Sequence, residues 1–153
     1  MQLHRALILE TATDILREYG LADLTMRRLA RQLGVAPGAL YWHFSSKQAL
    51  LGAIADTLIQ GINHNEEDLE TYCAALFTAL CSLPSGAEIT LAASASGTLE
   101  HDPSTHLSPA VWHYVLGAAM DHQAREEAAQ RLGVDEPHNI DVIPGVRALL
   151  STH

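Results

Sequence analysis

Apolar side chains recur at spacings of three and four along most of this chain, the rhythm of helices with one buried face, and the breaks in that rhythm divide it into elements. Ile8, Ala12, Ile15, Leu16 and Tyr19 form such a stripe and predict a first helix over roughly Leu3 to Tyr19. Met26, Leu29, Ala30 and Leu33 predict a short second helix, capped by Thr25 and left through Gly34. A third begins almost at once. Pro37 suits a first-turn position, where a missing N–H costs nothing, and Ala39, Leu40 and Tyr41 carry the helix towards Phe44. Ser45 and Gln48 have the spacing of a capping box, which opens a fourth helix from about Ser46 to Ile62 with Leu50, Leu51, Ile54, Leu58 and Ile62 on one side. The acids Glu66, Glu67, Asp68 and Glu70 mark the first turn of a fifth, where negative charge suits the helix dipole, and Leu69, Tyr72, Cys73, Leu76, Phe77 and Leu80 supply its stripe. Pro84-Ser85-Gly86 interrupts the chain before an Ala- and Ser-rich helix over Ala87 to Leu99, and Asp102-Pro103-Ser104 marks a loop. Ser108-Pro109 opens a long helix that Gly133 closes after Leu132; 134–143 reads as irregular and Pro144 to Leu150 as a last short helix. The expected fold is all-α.

Three of these boundaries fall within Leu24 to Leu51, reading LTMRRLARQLGVAPGALYWHFSSKQALL. Two short helices joined by a tight turn and followed by a capped third are the parts of a helix-turn-helix DNA reader. In order and in register the chain carries Gly20, Leu24-Thr25, Leu29-Ala30, Leu33-Gly34-Val35, Leu40-Tyr41-Trp42-His43-Phe44, Lys47 and Leu50. With these residues the first third resembles the DNA-binding domain of the TetR family of bacterial transcriptional repressors. The resemblance implies a reader domain at 1–46 and a helical effector-binding and dimerisation domain at 47–153, joined by the fourth helix. It also implies roles. Arg27 matches a position that reaches a base edge, where an arginine fork suits the two acceptors of guanine. Thr25, Tyr41, His43 and Lys47 match positions used mainly on the phosphate backbone, which fix register more than sequence. Arg28 belongs to the same basic cluster and is expected to contact DNA with it. Trp42 has two readings, a contact to a thymine methyl or sugar, or a cover for the reader's small core; Leu40 and Phe44 read as core. The front of the reader helix, Ala36-Pro37-Gly38-Ala39, departs from a polar reading edge. Specificity is then expected from Arg27, apolar contact to methyl groups, close backbone approach at Gly38, and DNA shape.

The formal net charge of −9 changes the picture only until its distribution is read. Residues 1–50 hold six Lys or Arg against four acids, a net +2, whereas 51–153 hold three Arg against fourteen acids, a net −11. Cations are gathered where phosphate would be met. A length of 153 residues suits one domain or two small ones, and 48% hydrophobic with 18% charged residues places the chain among globular proteins. No apolar run reaches the ~18 residues of a membrane span and no signal peptide opens the sequence, so a cytoplasmic location is expected. Cys73 and Cys81 lie ~12 Å apart along one helix, too far to pair within it, and read as free buried thiols. There is no nucleophile elbow, phosphate loop or paired metal motif, so the expected protein is not an enzyme and needs no cofactor.

Helix-turn-helix readers work as twofold dimers on paired half-sites, and the family pairs its last helices across the axis. The resemblance therefore assigns a homodimer interface to Val111, Val115, Ala118, Ala119 and His122 of the long helix and Val146, Leu149 and Leu150 of the last; packing within the protomer is the competing reading. A small effector pocket is expected at Tyr72, Leu76, Phe77, Trp112 and Leu116, with plain core as its competitor. Tyr114 to Gln123 is similar to the tetracycline repressor branch, but His122 stands where that branch has a second acid. Ala95-Ser96-Gly97-Thr98 likewise lacks the branch's ligand histidine. Seven of nine histidines follow residue 60, yet none has the spacing of a metal site, and no metal is expected. The expected function is a dimeric repressor released from double-stranded operator DNA by a small molecule. The alternative is a ligand-independent DNA-binding dimer whose short body only dimerises.

Overall fold

A computed structural model describes residues 2–63, 68–134 and 140–151, and no strand occurs among them. Its helices are α1 (Arg5–Tyr19), α2 (Met26–Leu33), α3 (Pro37–Tyr41), α4 (Lys47–Ile59), α5 (Leu69–Cys81), α6 (Gly86–Ala95), α7 (Pro109–Leu132) and α8 (Ile143–Leu150), with single 3-10 turns at 21–23 and 103–105. No single helix among the described residues is long and apolar enough to cross a membrane.

Local chemistry sets most boundaries. Thr25 Oγ1 accepts the Arg28 N–H at 3.0 Å and starts α2, and Gly34 ends it in the left-handed region at φ 67°. Asp68 caps α5 through the Thr71 N–H, and its hydrogen bonds to Thr71 hold its carboxyl below the usual carboxylate range. Ser108 and Gly133 bound α7 as expected. One cap is corrected: Ser46, not Ser45, accepts the Ala49 N–H, so the third residue of α4 is Ala49 and no capping box with Gln48 forms. Three ends are also shorter than expected. α1 starts at Arg5 because His4 is its cap, while α4 stops at Ile59 and α6 at Ala95. Glu66 and Glu67 lie outside the described residues, as does 135–139 of the expected irregular stretch.

Two hydrophobic cores result. The first gathers Ile8, Ala12, Ile15 and Leu16 of α1, Leu29 and Leu33 of α2, Leu40, Phe44, and Leu50 and Ile54 of α4, with Leu83, Ile89 and Ala93 closing it from α6 and the turn before it. Tyr19, expected in this stripe, stays substantially exposed and lies beneath the Arg28 guanidinium, 3.8 Å from ring centroid to Cζ. The second core joins Ile59, Tyr72, Cys73, Leu76 and Leu80 to Val111, Trp112, Val115, Leu116, Ala119 and Val146. α8 is tied over α5 by a two-pronged Arg147–Glu70 pair, and this arginine holds the Glu70 carboxyl below its ordinary range.

The connecting helix α4 contributes to both cores and packs most extensively on α6. It is buried on more sides than its sequence stripe indicates. Gly52 faces Thr98 so closely that an added Cβ would lie 2.8 Å from the Thr98 carbonyl oxygen. One turn on, the buried Asp56 accepts the Glu100 N–H at 3.1 and 3.0 Å and the His101 N–H at 3.0 Å. Asp56 thus fastens the segment after α6 to the helix that carries the reader.

Burial pushes both thiols up to about 11. The reactive thiolate is then about one part in a thousand at pH 8, against roughly a quarter for an ordinary cysteine. Cys73 and Cys81 in the folded protein should therefore react with an aromatic disulfide reagent at least tenfold more slowly than after unfolding in urea. Thiol titration followed by absorbance measures both rates, and equal rates would contradict the burial.

Candidate nucleic-acid interface

α2 and α3 cross through the turn at Gly34, whose N–H is bonded back to Arg31 while that of Val35 reaches Ala30. This closure leaves α3 presented with Ala36, Pro37 and Gly38 exposed and Ala39 half-buried, and Leu40 turned into the core. Nothing in the protein lies within 4 Å of a Cβ built on Gly38. Its lack of a side chain serves no internal packing and leaves the backbone open to a groove wall. Trp42 is 91% exposed, which removes the reading that it covers the reader's core; Tyr41 beside it is 51% exposed. Two neighbouring aromatic rings in water are an expensive arrangement unless a partner covers them.

The charges at the starts of α2 and α4 run against helix electrostatics. α2 opens with Arg27 and Arg28, α4 opens with Lys47, and neither helix has an acid in its first turn. Cations at the positive end of a helix are unfavourable by several tenths of a kcal/mol, and such ends favour an anion instead. Arg27 is exposed, and its guanidinium makes no hydrogen bond or ion pair among the described residues. Arg28 differs: its Nη1 pairs with Asp23 and its guanidinium covers the Tyr19 ring, which leaves its other N–H donors for an outside acceptor. Thr25 Oγ1 accepts from Arg28 while its own proton remains for an outside acceptor. His43 is half-buried, and its carbonyl receives a hydrogen bond from Arg5 Nη1 at 2.6 Å. Arg5 carried no signal in the sequence, since its partner lies 38 positions away.

The expected interface residues of the body fall into two sets. Val111, Val115, Ala119 and Val146 are at most 1% exposed inside the protomer's second core, so they offer no surface to a partner; this corrects the sequence assignment. Helical periodicity marked the apolar face, and α5 covers it. Ala118, His122, Leu149 and Leu150 remain half-buried, and Leu132 at the end of α7 is 76% exposed. Of the expected pocket, Tyr72, Leu76, Trp112 and Leu116 are close-packed core. Phe77 alone is half-buried, and its ring meets His122 edge-on at 5.7 Å. His122 Nδ1 is buried without a hydrogen-bond partner among the described residues, while Nε2 lies 3.6 Å from Glu126. An open cleft of about 960 Å³ lies elsewhere, between the end of α1 with its following turn and the outer half of α7. Gln123 beside it is fully employed, donating to the Leu80 and Leu83 carbonyls and accepting from the Ala87 N–H. Among the described residues no three His, Cys, Asp or Glu side chains converge as a metal site requires.

Residues 8–54 match the model of bacterial regulatory proteins of the tetR family. The class C tetracycline repressor protein of Escherichia coli is 30% identical over an alignment covering 88% of this chain and 73% of that protein. Among solved structures, BioQ of Mycobacterium smegmatis is 36% identical with a TM-score of 0.82, covering 99% of this chain and 97% of that one. A BioQ structure solved with its natural double-stranded DNA operator is 35% identical, with a TM-score of 0.75 over 99% of this chain and all of the other. Agreement along nearly the whole length, with an operator-bound structure among the relatives, fits the exposed reader described above. The chain belongs to the TetR family of bacterial regulatory proteins and is a DNA-binding transcriptional regulator.

Proposed function

We propose that this regulator is a homodimeric repressor that leaves its operator when a small molecule binds, and that its reader comprises residues 1–46 and its effector and dimerisation body 47–153. The observation that carries the DNA-contact assignment is the exposed pair Tyr41 and Trp42 flanked by the unpaired Arg27. Arg27 reads a base edge, and Pro37, Gly38 and Ala39 lie along the groove wall. Trp42 packs on sugar or thymine methyl, and Thr25, Tyr41, His43 and Lys47 hold phosphates. Arg28, held by Tyr19 and Asp23, offers its remaining donors to the same DNA surface. Pairing of two protomers uses the outer faces of α7 and α8, at Ala118, His122, Leu149, Leu150 and Leu132. Repression and release are the reading favoured by the relative's name, a tetracycline repressor. The closed packing of Tyr72, Leu76, Trp112 and Leu116 favours the second reading, a dimer that answers to no ligand.

The two tryptophans separate the outcomes. Trp112 is 4% exposed in the body, so the long-wavelength emission belongs to Trp42. A duplex enriched from a random library by the purified protein should quench that emission, and affinity should fall steeply with salt. Sedimentation should give two protomers per duplex. Binding equal on enriched and scrambled duplexes would overturn sequence-specific control. A screen of small molecules that restores the Trp42 emission identifies release, and a compound set without effect supports the ligand-independent reading.

A further inference from the structure

The reader helix is short and lacks a side-chain cap. α3 has five residues with Ala36 at its start, and one carbonyl, that of Leu40, takes both the His43 and Phe44 N–H groups as the chain turns towards α4. Beyond the buried Leu40 and Phe44 side chains, the segment 41–44 receives one cross-link from a distant element. Arg5, first residue of α1 and 38 positions away, lays its guanidinium over the Phe44 ring at 4.2 Å and donates Nη1–H to the His43 carbonyl at 2.6 Å. The two contacts differ in kind: Cζ lies over the ring and an N–H meets the carbonyl. A planar guanidinium satisfies both together and an ammonium satisfies one at a time.

We propose that Arg5 is a positioning residue for DNA recognition, a clamp that sets the orientation of residues 41–44 relative to α1. This rests on the reading that Tyr41, Trp42 and His43 meet DNA. Leu40 and Phe44 anchor the segment in the first core through apolar contacts, which carry no direction for the peptide between His43 and Phe44. The Arg5 bond to that peptide supplies the direction. Orientation errors of this kind weaken matched contacts and leave loose electrostatic binding untouched, because phosphate attraction tolerates small rotations. The clamp therefore contributes to discrimination more than to general affinity.

Arg5→Met keeps the apolar stem against Phe44 and removes the charge and donor; Arg5→Lys restores charge and one donor. In the DNA-free full chain, hydrogen exchange of the His43 and Phe44 amides should accelerate at least tenfold in Arg5→Met relative to the amides of α1. Its affinity for the enriched duplex should fall at least tenfold, with affinity for a scrambled duplex within twofold of the parent. Arg5→Lys should lie between, and it serves with the same readouts if Arg5→Met does not fold. Unchanged amide exchange overturns the clamp. An equal loss on both duplexes, with a salt dependence shallower by about one ion per protomer, makes Arg5 a phosphate contact and overturns the positioning role. If the parent enriches no sequence, the DNA-contact reading fails, and the amide exchange still reports whether the clamp exists.

Discussion

Asp56→Ala is expected to lower folding stability by about 3 kcal/mol, the largest single-residue loss outside the apolar cores. Its carboxylate side chain is only 11% exposed and accepts the Glu100 and His101 N–H groups, with His101 Nδ1 a further 3.4 Å away. Hydrogen bonds to a charged acceptor contribute about 1.5–3 kcal/mol each, and donors left without a partner in a partly buried site retain their desolvation cost. The two bonds are not independent, so the sum is set near the upper single-bond value. Asp56→Asn should cost less, about 2 kcal/mol, because one amide oxygen still accepts while its NH₂ opposes the remaining donor. Urea unfolding at constant m reads both losses as shifts in midpoint. A change below 1 kcal/mol for Asp56→Ala would mean that water replaces the carboxylate and that the segment after α6 is not fastened to α4 at this point.

Arg27→Ala combined with Tyr41→Ala should weaken binding to the selected operator by a hundredfold or more while leaving the urea midpoint unchanged. Arg27 and Tyr41 are both exposed, so their removal opens no cavity. A bidentate base contact contributes about 1–3 kcal/mol of discrimination, or roughly 5–160-fold, and a twofold complex loses it at both half-sites. The singles differ in kind. Arg27→Ala should relax preference at one base pair per half-site, measured by competition among single-substituted duplexes. Tyr41→Phe should reduce affinity alike on every sequence, because a phosphate contact carries no sequence information. Affinity of the double variant within threefold of the parent would place both residues off the interface.

Much of this molecule is legible one segment at a time. Thr25 capping α2, Gly34 in the left-handed turn, Pro37 opening α3, and Ser108 and Gly133 bounding α7 are decided by residues within a few positions of one another. The reader was recognisable for the same reason, since a helix-turn-helix keeps its whole pattern in one contiguous stretch. Even locally a register error of one residue arises, because Ser45 and Ser46 both satisfy the composition of a cap and only the backbone path selects Ser46.

What the sequence by itself determined, then, is the order and identity of the helices, most of their caps, and the family to which the reader belongs, because each depends on short-range periodicity and backbone chemistry. The tertiary structure alone decided which apolar faces are covered within the protomer and which long-range polar partners meet. Val111, Val115, Ala119 and Val146 carry the same apolar stripe whether a second protomer or α5 covers it, and the fold uses the protomer's own core. Trp42 reads equally as core or surface until its exposure is known. Asp56 with the 100–101 amides, Gln123 with the turn at 80–87, and Arg5 with His43 join positions some forty residues apart. No local pattern encodes such pairs, because their energy exists only once packing has brought donor and acceptor within reach.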